Sequence, residues 1–170
     1  AVIDAERQHG NAWCLPAGPL REPLERLESV DLILSQGGEM PSAHGSFLLI
    51  PGDLQPLRAN AAPPMSGEKV HAVAGIGNPE RFFNALTQLG FQVIPHPLGD
   101  HHNYRGDELT FTDTHAVIMT EKDAVKCQTL APENSWVLPV DAQPDDQADN
   151  ALNELIHIAY QRFLRRSAVQ

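Results

Sequence analysis

Residues 70–83 read V-H-A-V-A-G-I-G-N-P-E-R-F-F, and much of the architecture can be inferred outward from them. Val70 to Ala74 is short, apolar and partly β-branched, which suits a buried strand. Gly75-Ile76-Gly77 ends that run with two residues that permit a sharp turn and close backbone approach. Asn78 and Pro79 are helix start signals, an N-cap followed by proline at the first helical position, and Glu80 suits the dipole of a first turn. The helix then places Phe82, Phe83, Leu86 and Leu89 on one side, and Gly90 stops it. With a second strand at 91–94, the unit is strand, glycine turn, helix, strand. That order requires a right-handed crossover and a parallel sheet. A glycine turn entering a helix also points free N–H groups outward, where an anion is favoured; a plain βα turn packed with small residues is the alternative. G-x-G-N-P does not meet the dinucleotide fingerprint G-x-G-x-x-G.

Composition narrows the function classes. The chain has 170 residues, 42% of them hydrophobic, with a net charge of −10. A strongly acidic balance argues against a nucleic-acid surface, so no nucleic-acid partner is expected. Nothing resembles a secretory signal, and no apolar run reaches the ~18 residues of a membrane span. Cys14 and Cys127 form no framework and fit a reducing compartment. The chain opens on A-V-I-D, which reads as a strand end, and its first methionine is Met40. The expectation is a chain whose N-terminal part lies upstream.

In order, Ala1–Asp4 is a strand end and L-P-A-G-P-L-R-E-P, 15–23, is a rigid extended loop. It ends near Arg21, which either faces an anion or pairs with a nearby glutamate. A short helix is expected at 22–27 and a buried strand at 30–34. Phe47–Ile50 and Leu54–Arg58 flank Pro51-Gly52-Asp53 and read as a β-hairpin. The expected division is 1–38, a linker at 39–68, and a compact α/β lobe at 69–170. Its further strands are placed at 116–119 and 136–140. A terminal helix at 147–165 carries an apolar stripe of Leu152, Leu155, Ile156, Ala159 and Phe163.

Two segments carry chemistry. P-L-G-D-H-H-N-Y, 97–104, follows the second strand of the lobe, where open α/β sheets build ligand sites. Asp100 beside His101 and His102 joins a near-neutral imidazole to a carboxylate able to orient it. A solvated polar loop, or a metal site using His96, Asp100, His101 and His102, are the alternatives. M-T-E-K-D-A-V-K-C, 119–127, repeats the strand-to-helix pattern, with Thr120 and Asp123 spaced as a capping box. Lys122 sits oddly for a first helical turn, unless an anion lies nearby.

Taken together, L-P-A-G-P-L-R-E, V-A-G-I-G-N-P-x-R-F-F, P-L-x-D-H, M-T-E-K-D-A-V-K and W-x-L-P-V-D occur here in order. The set resembles the tetraacyldisaccharide 4'-kinases, the lipid A kinases of Gram-negative bacteria, over essentially the whole chain. The resemblance implies an α/β, P-loop NTPase-like kinase fold: parallel sheet, flanking helices and a two-stranded β linker. It implies transfer of the ATP γ-phosphate, with Mg²⁺, to the 4'-hydroxyl of a tetraacylated glucosamine disaccharide 1-phosphate. The setting it implies is peripheral, at the cytoplasmic face of the bacterial inner membrane. His101, with Asp100, would act on the sugar hydroxyl together with an aspartate upstream of Ala1. Arg21 would contact phosphate. Gly75, Gly77, Asn78, Arg81, Thr120 and Lys122 are the further candidates for substrate or phosphate. The chain departs from the family in one respect: its lysines, Lys69, Lys122 and Lys126, never occur as G-K-[ST]. The expectation is therefore a C-terminal portion that neither holds ATP in the family's manner nor turns over alone.

Overall fold

The computed structural model describes residues 1–58, 62–100 and 102–167, with side chains as far as 165. It divides the chain into two compact units, 1–50 with 141–170, and 51–140. This differs from the division expected at 38/39 and 68/69, because the terminal segment packs with the first residues instead of with the lobe that precedes it.

The 51–140 unit is built on a five-stranded sheet. Its strands are β4 (Gln55–Pro56), β5 (Lys69–Ala74), β6 (Gln92–Pro97), β7 (Ala116–Thr120) and β8 (Ser135–Leu138), in the order β4-β8-β7-β5-β6. All pairings are parallel except β4 with β8. Helix α1 (Pro79–Gln88) makes the β5–β6 crossover, and α2 (Glu121–Cys127) follows β7. The period-2 alternation of β5 sorts its side chains onto two faces. Val70, Ala72 and Ala74 join Phe82, Phe83 and Leu86 of α1 and Trp136 of β8 in one core. Val73 joins Leu109, Val117, Met119 and Cys127 in the other. Leu89, expected on the buried side of α1, is 40% exposed; it lies one residue past the last helical turn. Gly90 has φ +93°, the left-handed conformation that stops the helix.

His71, the remaining inward residue of β5, is buried and engaged at both ring nitrogens. Nδ1 lies 2.9 Å from His96 Nε2, and Nε2 lies 2.9 Å from Asp113 Oδ1. Its ring stacks on Phe111 with centroids 3.7 Å apart, and the His115 ring lies 6.0 Å away, tilted. Burial, and then the neighbouring His71, hold the His96 imidazole below its ordinary value of 6.5, against the opposing pull of Asp113. The sign follows directly. The folded state disfavours the protonated ring, so the unfolded chain binds more protons once pH drops below the ordinary value. Stability of this unit is therefore present above about pH 6.5 and is lost as pH falls below it. The hydrogen bond from His71 holds Asp113 below its ordinary 3.8, so its share is lost only at lower pH. Urea midpoints taken between about pH 7.5 and 5.5 should fall, and His96→Gln should flatten the slope. An unchanged slope in that variant would remove His96 as the cause.

In the other unit, β1 (Val2–Asp4), β2 (Leu34–Gln36), β3 (Ser46–Pro51) and β9 (Val140–Pro144) form a four-stranded sheet in that order. β1 pairs with β2, and β2 with β3, in parallel. A 3-10 turn at Leu24–Ser29 stands where a short helix was expected, and the second strand begins at Leu34 instead of Val30. The core is small: Ile3, Ile33 and Met40, with Leu27, Val30 and Ala43 against it.

The expected hairpin at 47–58 is corrected. β3 pairs within this sheet, whereas β4 pairs with β8 in the other. Pro51-Gly52-Asp53 turns the chain, but the two segments it joins find different partners. β3 lies beside β9 at one edge of the four-stranded sheet, and near that edge Asp145 N donates to Ser46 O and Gly52 N to Pro139 O. Helix α3 spans Asp146–Ser167, but its stripe is largely uncovered, with Ile156 63% and Phe163 65% exposed. Among the described residues, no helix is long and apolar enough to cross a membrane.

Candidate functional site

β5 runs on through α1 to one neighbour, β6, and β7 runs on through α2 to the opposite neighbour, β8. The C-terminal ends of β5 and β7 therefore form the topological switch point of the sheet, the usual place for a ligand. Three segments meet there: the glycine turn 75–78, the T-E-K-D turn 120–123, and the D-H-H loop after β6.

The hydrogen bonds assign each a role. Asp123 is fully buried, and its Oδ2 accepts from Gly75 N at 2.9 Å and from Thr120 Oγ1 at 2.8 Å. Asp123 N donates back to Thr120 Oγ1 at 3.2 Å, completing the cap of α2. The Gly75 N–H and the Thr120 hydroxyl, expected to meet a phosphate, are thus donated to a carboxylate. A Cβ on Gly75 would lie 3.1 Å from both Asp123 Oδ1 and Tyr104 Oη and 3.4 Å from His102 Cβ, so the glycine admits a close approach from both turns. Lys122 Nζ is 3.2 Å from Asp100 Oδ1, each side chain about half exposed. That pair supplies the anion that the lysine's position called for, and at such exposure it orients more than it stabilises.

The loop has its own centre. Glu108 Oε1 is 2.8 Å from His102 Nε2, and its Oε2 accepts from Arg105 N and Gly106 N at 3.1 Å. The His102 hydrogen bond leads in holding the Glu108 carboxyl down to about 2, with the backbone amides adding to it. Tyr104 stands edge-on to His102, with ring centroids 5.1 Å apart. Burial, then the Asp123 charge, pushes its phenol far above the usual range, so it remains a donor.

Of the other expected residues, Gly77 lies beside Asp100, a Cβ there falling 4.0 Å from Asp100 Oδ2. Asn78 precedes α1 but makes no side-chain capping bond. Arg81 is half-buried in the first turn of α1, and Arg21 is exposed and belongs to the other unit. His101 lies outside the described residues. His96 turns to His71 and not to the D-H-H loop, which takes it out of the metal set considered from sequence. Among the described residues, no group of three or more His, Cys, Asp or Glu side chains is arranged to hold a metal ion. Sequence reading missed Asp123 and Glu108 as organising carboxylates. The signal for Asp123 was present: a buried glycine N–H at a strand end needs an acceptor, and a capping-box acid is near enough to provide it.

The family described as Tetraacyldisaccharide-1-P 4'-kinase matches residues 1–157. The tetraacyldisaccharide 4'-kinase of Alkalilimnicola ehrlichii is 57% identical over 147 residues, 85% of this chain and 44% of that protein. Its namesake in Methylobacillus flagellatus is 48% identical over 171 residues, 97% of this chain and 49% of that protein. A crystal structure of the "apo" form of LpxK from Aquifex aeolicus in complex with ATP superposes with a TM-score of 0.62 at 21% identity, covering 92% of this chain and 50% of that one. At that identity the likeness shows the fold alone, a mixed α/β architecture. This chain spans about half the length of the curated relatives it matches. On the extent of the matched residues and the identity to these relatives, the chain belongs to the tetraacyldisaccharide-1-P 4'-kinase family.

Proposed function

We propose that this chain supplies the acceptor-side machinery of a lipid kinase. The reaction transfers the ATP γ-phosphate to the 4'-hydroxyl of a tetraacylated glucosamine disaccharide 1-phosphate, at the cytoplasmic face of the inner membrane. The observation that carries this reading is the meeting of the glycine turn, the T-E-K-D turn and the D-H-H loop at one switch point, in a chain of this family. Phosphoryl transfer depends mainly on positioning and on charge placed around the phosphates. His101 takes the proton of the attacking hydroxyl as the new O–P bond forms and the bond to the ADP oxygen breaks. Asp100, held by Lys122, orients that imidazole. Gly77, Asn78 and Arg81 at the start of α1 are proposed to face phosphate; Arg21, in the other unit, is proposed separately as a phosphate-contacting residue. ATP and Mg²⁺ belong to the reaction, and Mg²⁺ would neutralise phosphate charge. The described residues of this chain offer neither a G-K-[ST] lysine nor a ligand set for the ion, so no step of theirs runs through it.

The test joins this chain to the part of the Alkalilimnicola ehrlichii relative that it does not span. The chimaera should transfer labelled phosphate from ATP to the tetraacylated disaccharide 1-phosphate, and the 170-residue chain alone should not. A folded chimaera that transfers nothing, beside an active relative, would sink the reading.

A further inference from the structure

The N-cap of α2 is Thr120, whose hydroxyl accepts from Asp123 N, so capping by itself does not need the Asp123 carboxylate. Burying a carboxylate is costly unless several donors surround it. Here the donors come from different segments. Gly75 N, after β5, lies 2.9 Å from Oδ2, and Thr120 Oγ1, after β7, lies 2.8 Å from it. Lys126 Nζ of α2 is 3.6 Å from Oδ1. The third segment is the D-H-H loop. Asp123 Oδ1 and Tyr104 Oη are both buried without a hydrogen-bond partner, and both lie 3.1 Å from the position of a Cβ on Gly75. One is an acceptor and the other a donor, both close to the same glycine, and after burial the Asp123 carboxylate is among the groups that push the Tyr104 phenol up.

We propose that Asp123 is the positioning residue of this site: one buried carboxylate that holds the glycine turn, the first turn of α2 and the Tyr104 end of the D-H-H loop in register. Its catalytic consequence rests on the lipid kinase reading; its structural consequence does not. Through Tyr104 it sets the loop that begins at Asp100, and through Gly75 it sets the turn leading into α1. A cap alone would concern α2 and nothing else.

Hydrogen exchange on the 170-residue chain separates the two roles. Asp123→Ala should speed exchange of the Gly75 amide and of amides in 102–109 by at least about tenfold, while the Val93 amide of β6 stays protected. Tyr104→Phe, which keeps the ring and loses only the hydroxyl, should loosen 102–109 and leave Gly75 protected. Asp123→Asn keeps the shape and an acceptor oxygen, so it should restore the Gly75 amide and serves if the alanine variant does not fold. Acceleration confined to α2, or spread evenly over the sheet, would overturn the proposal, as would an unchanged 102–109 segment in Tyr104→Phe. In the chimaera, Asp123→Ala should lower kcat by about tenfold or more with KM for ATP within roughly twofold, and Asp123→Asn should recover most of that loss, since misplaced reacting groups slow the transfer without weakening the nucleotide. An unchanged kcat in Asp123→Ala would also overturn it. An unsubstituted chimaera with no activity would count against the kinase reading and leave the exchange result to decide the positioning one.

Discussion

His101→Ala is expected to lower kcat of the chimaera by about 10²–10⁴-fold while KM for either substrate changes little, the range by which a positioned acid–base group contributes. An imidazole is the side chain suited to accepting a proton near neutral pH. A sugar hydroxyl attacking a γ-phosphate needs that proton removed as the bond forms. Charge stabilisation around the phosphates is untouched by the substitution, which is why a large residual rate over the uncatalysed reaction should remain. The neighbouring histidine is the control. His102 Nε2 is engaged by Glu108, so it is tied up in holding the loop together. His102→Gln should therefore slow the reaction by disturbing geometry, yet keep the acidic limb of the kcat–pH profile. His101→Ala should abolish that limb. The opposite assignment of the limb would make His102 the base and Glu108 the carboxylate that orients it.

How much of this was legible in the sequence differs by element. β5, α1 and β6 were readable because every local signal agrees: β-branched alternation, a glycine turn, Asn-Pro at the helix start and Gly90 at its end. The segment 47–58 was not, since turn chemistry at Pro51-Gly52-Asp53 reports a change of direction and nothing about distant partners. β4 pairs with β8, about eighty positions away, and no local pattern encodes that choice. Helix α3 shows the same limit in another form. Its 3.6-residue stripe establishes that an apolar face exists, while Ile156 and Phe163 remain exposed in the fold. At the site, the glycine turn, the T-E-K-D turn and the D-H-H loop come to one switch point, while Arg21 falls in the other unit and His101 lies outside the described residues. Gly75, Thr120 and Lys122, candidates for phosphate on sequence grounds, each meet a protein carboxylate. A sequence shows a donor such as the Gly75 N–H at a strand end; that Asp123, 48 positions later, takes it depends on how β7 and α2 are placed beside β5.

Gly45→Ala should destabilise its unit by about 3 kcal/mol, the upper end of the cost of overpacking, because the new methyl meets backbone and not a yielding side chain. It would fall 2.3 Å from Ala148 N and 2.6 Å from Ala148 Cα. Neither side can retreat cheaply. Gly45 O accepts from Ser35 N at 3.0 Å, fixing the turn before β3 to β2. Ala148 N donates to Asp145 Oδ1 at 2.7 Å as the cap of α3, and Ala148 is fully buried. Asp145 Oδ2 in turn accepts from Ser46 N at 2.8 Å and from Ser46 Oγ at 2.7 Å, so the residue after the glycine holds the start of the helix. The methyl must break either that cap or the β2–β3 register. Gly38→Ala is the matched control: the nearest atom to its methyl would be Ala5 Cβ at 3.6 Å, an ordinary contact. With a less flexible unfolded chain, that variant should be neutral or stabilising by about 0.5 kcal/mol. Two compact units need not unfold together, so exchange of amides in β2 and β3 is the proper readout, compared with those of β5 and β7. Equal protection of β2 and β3 in the two variants would mean that α3 is not held against the turn at Gly45.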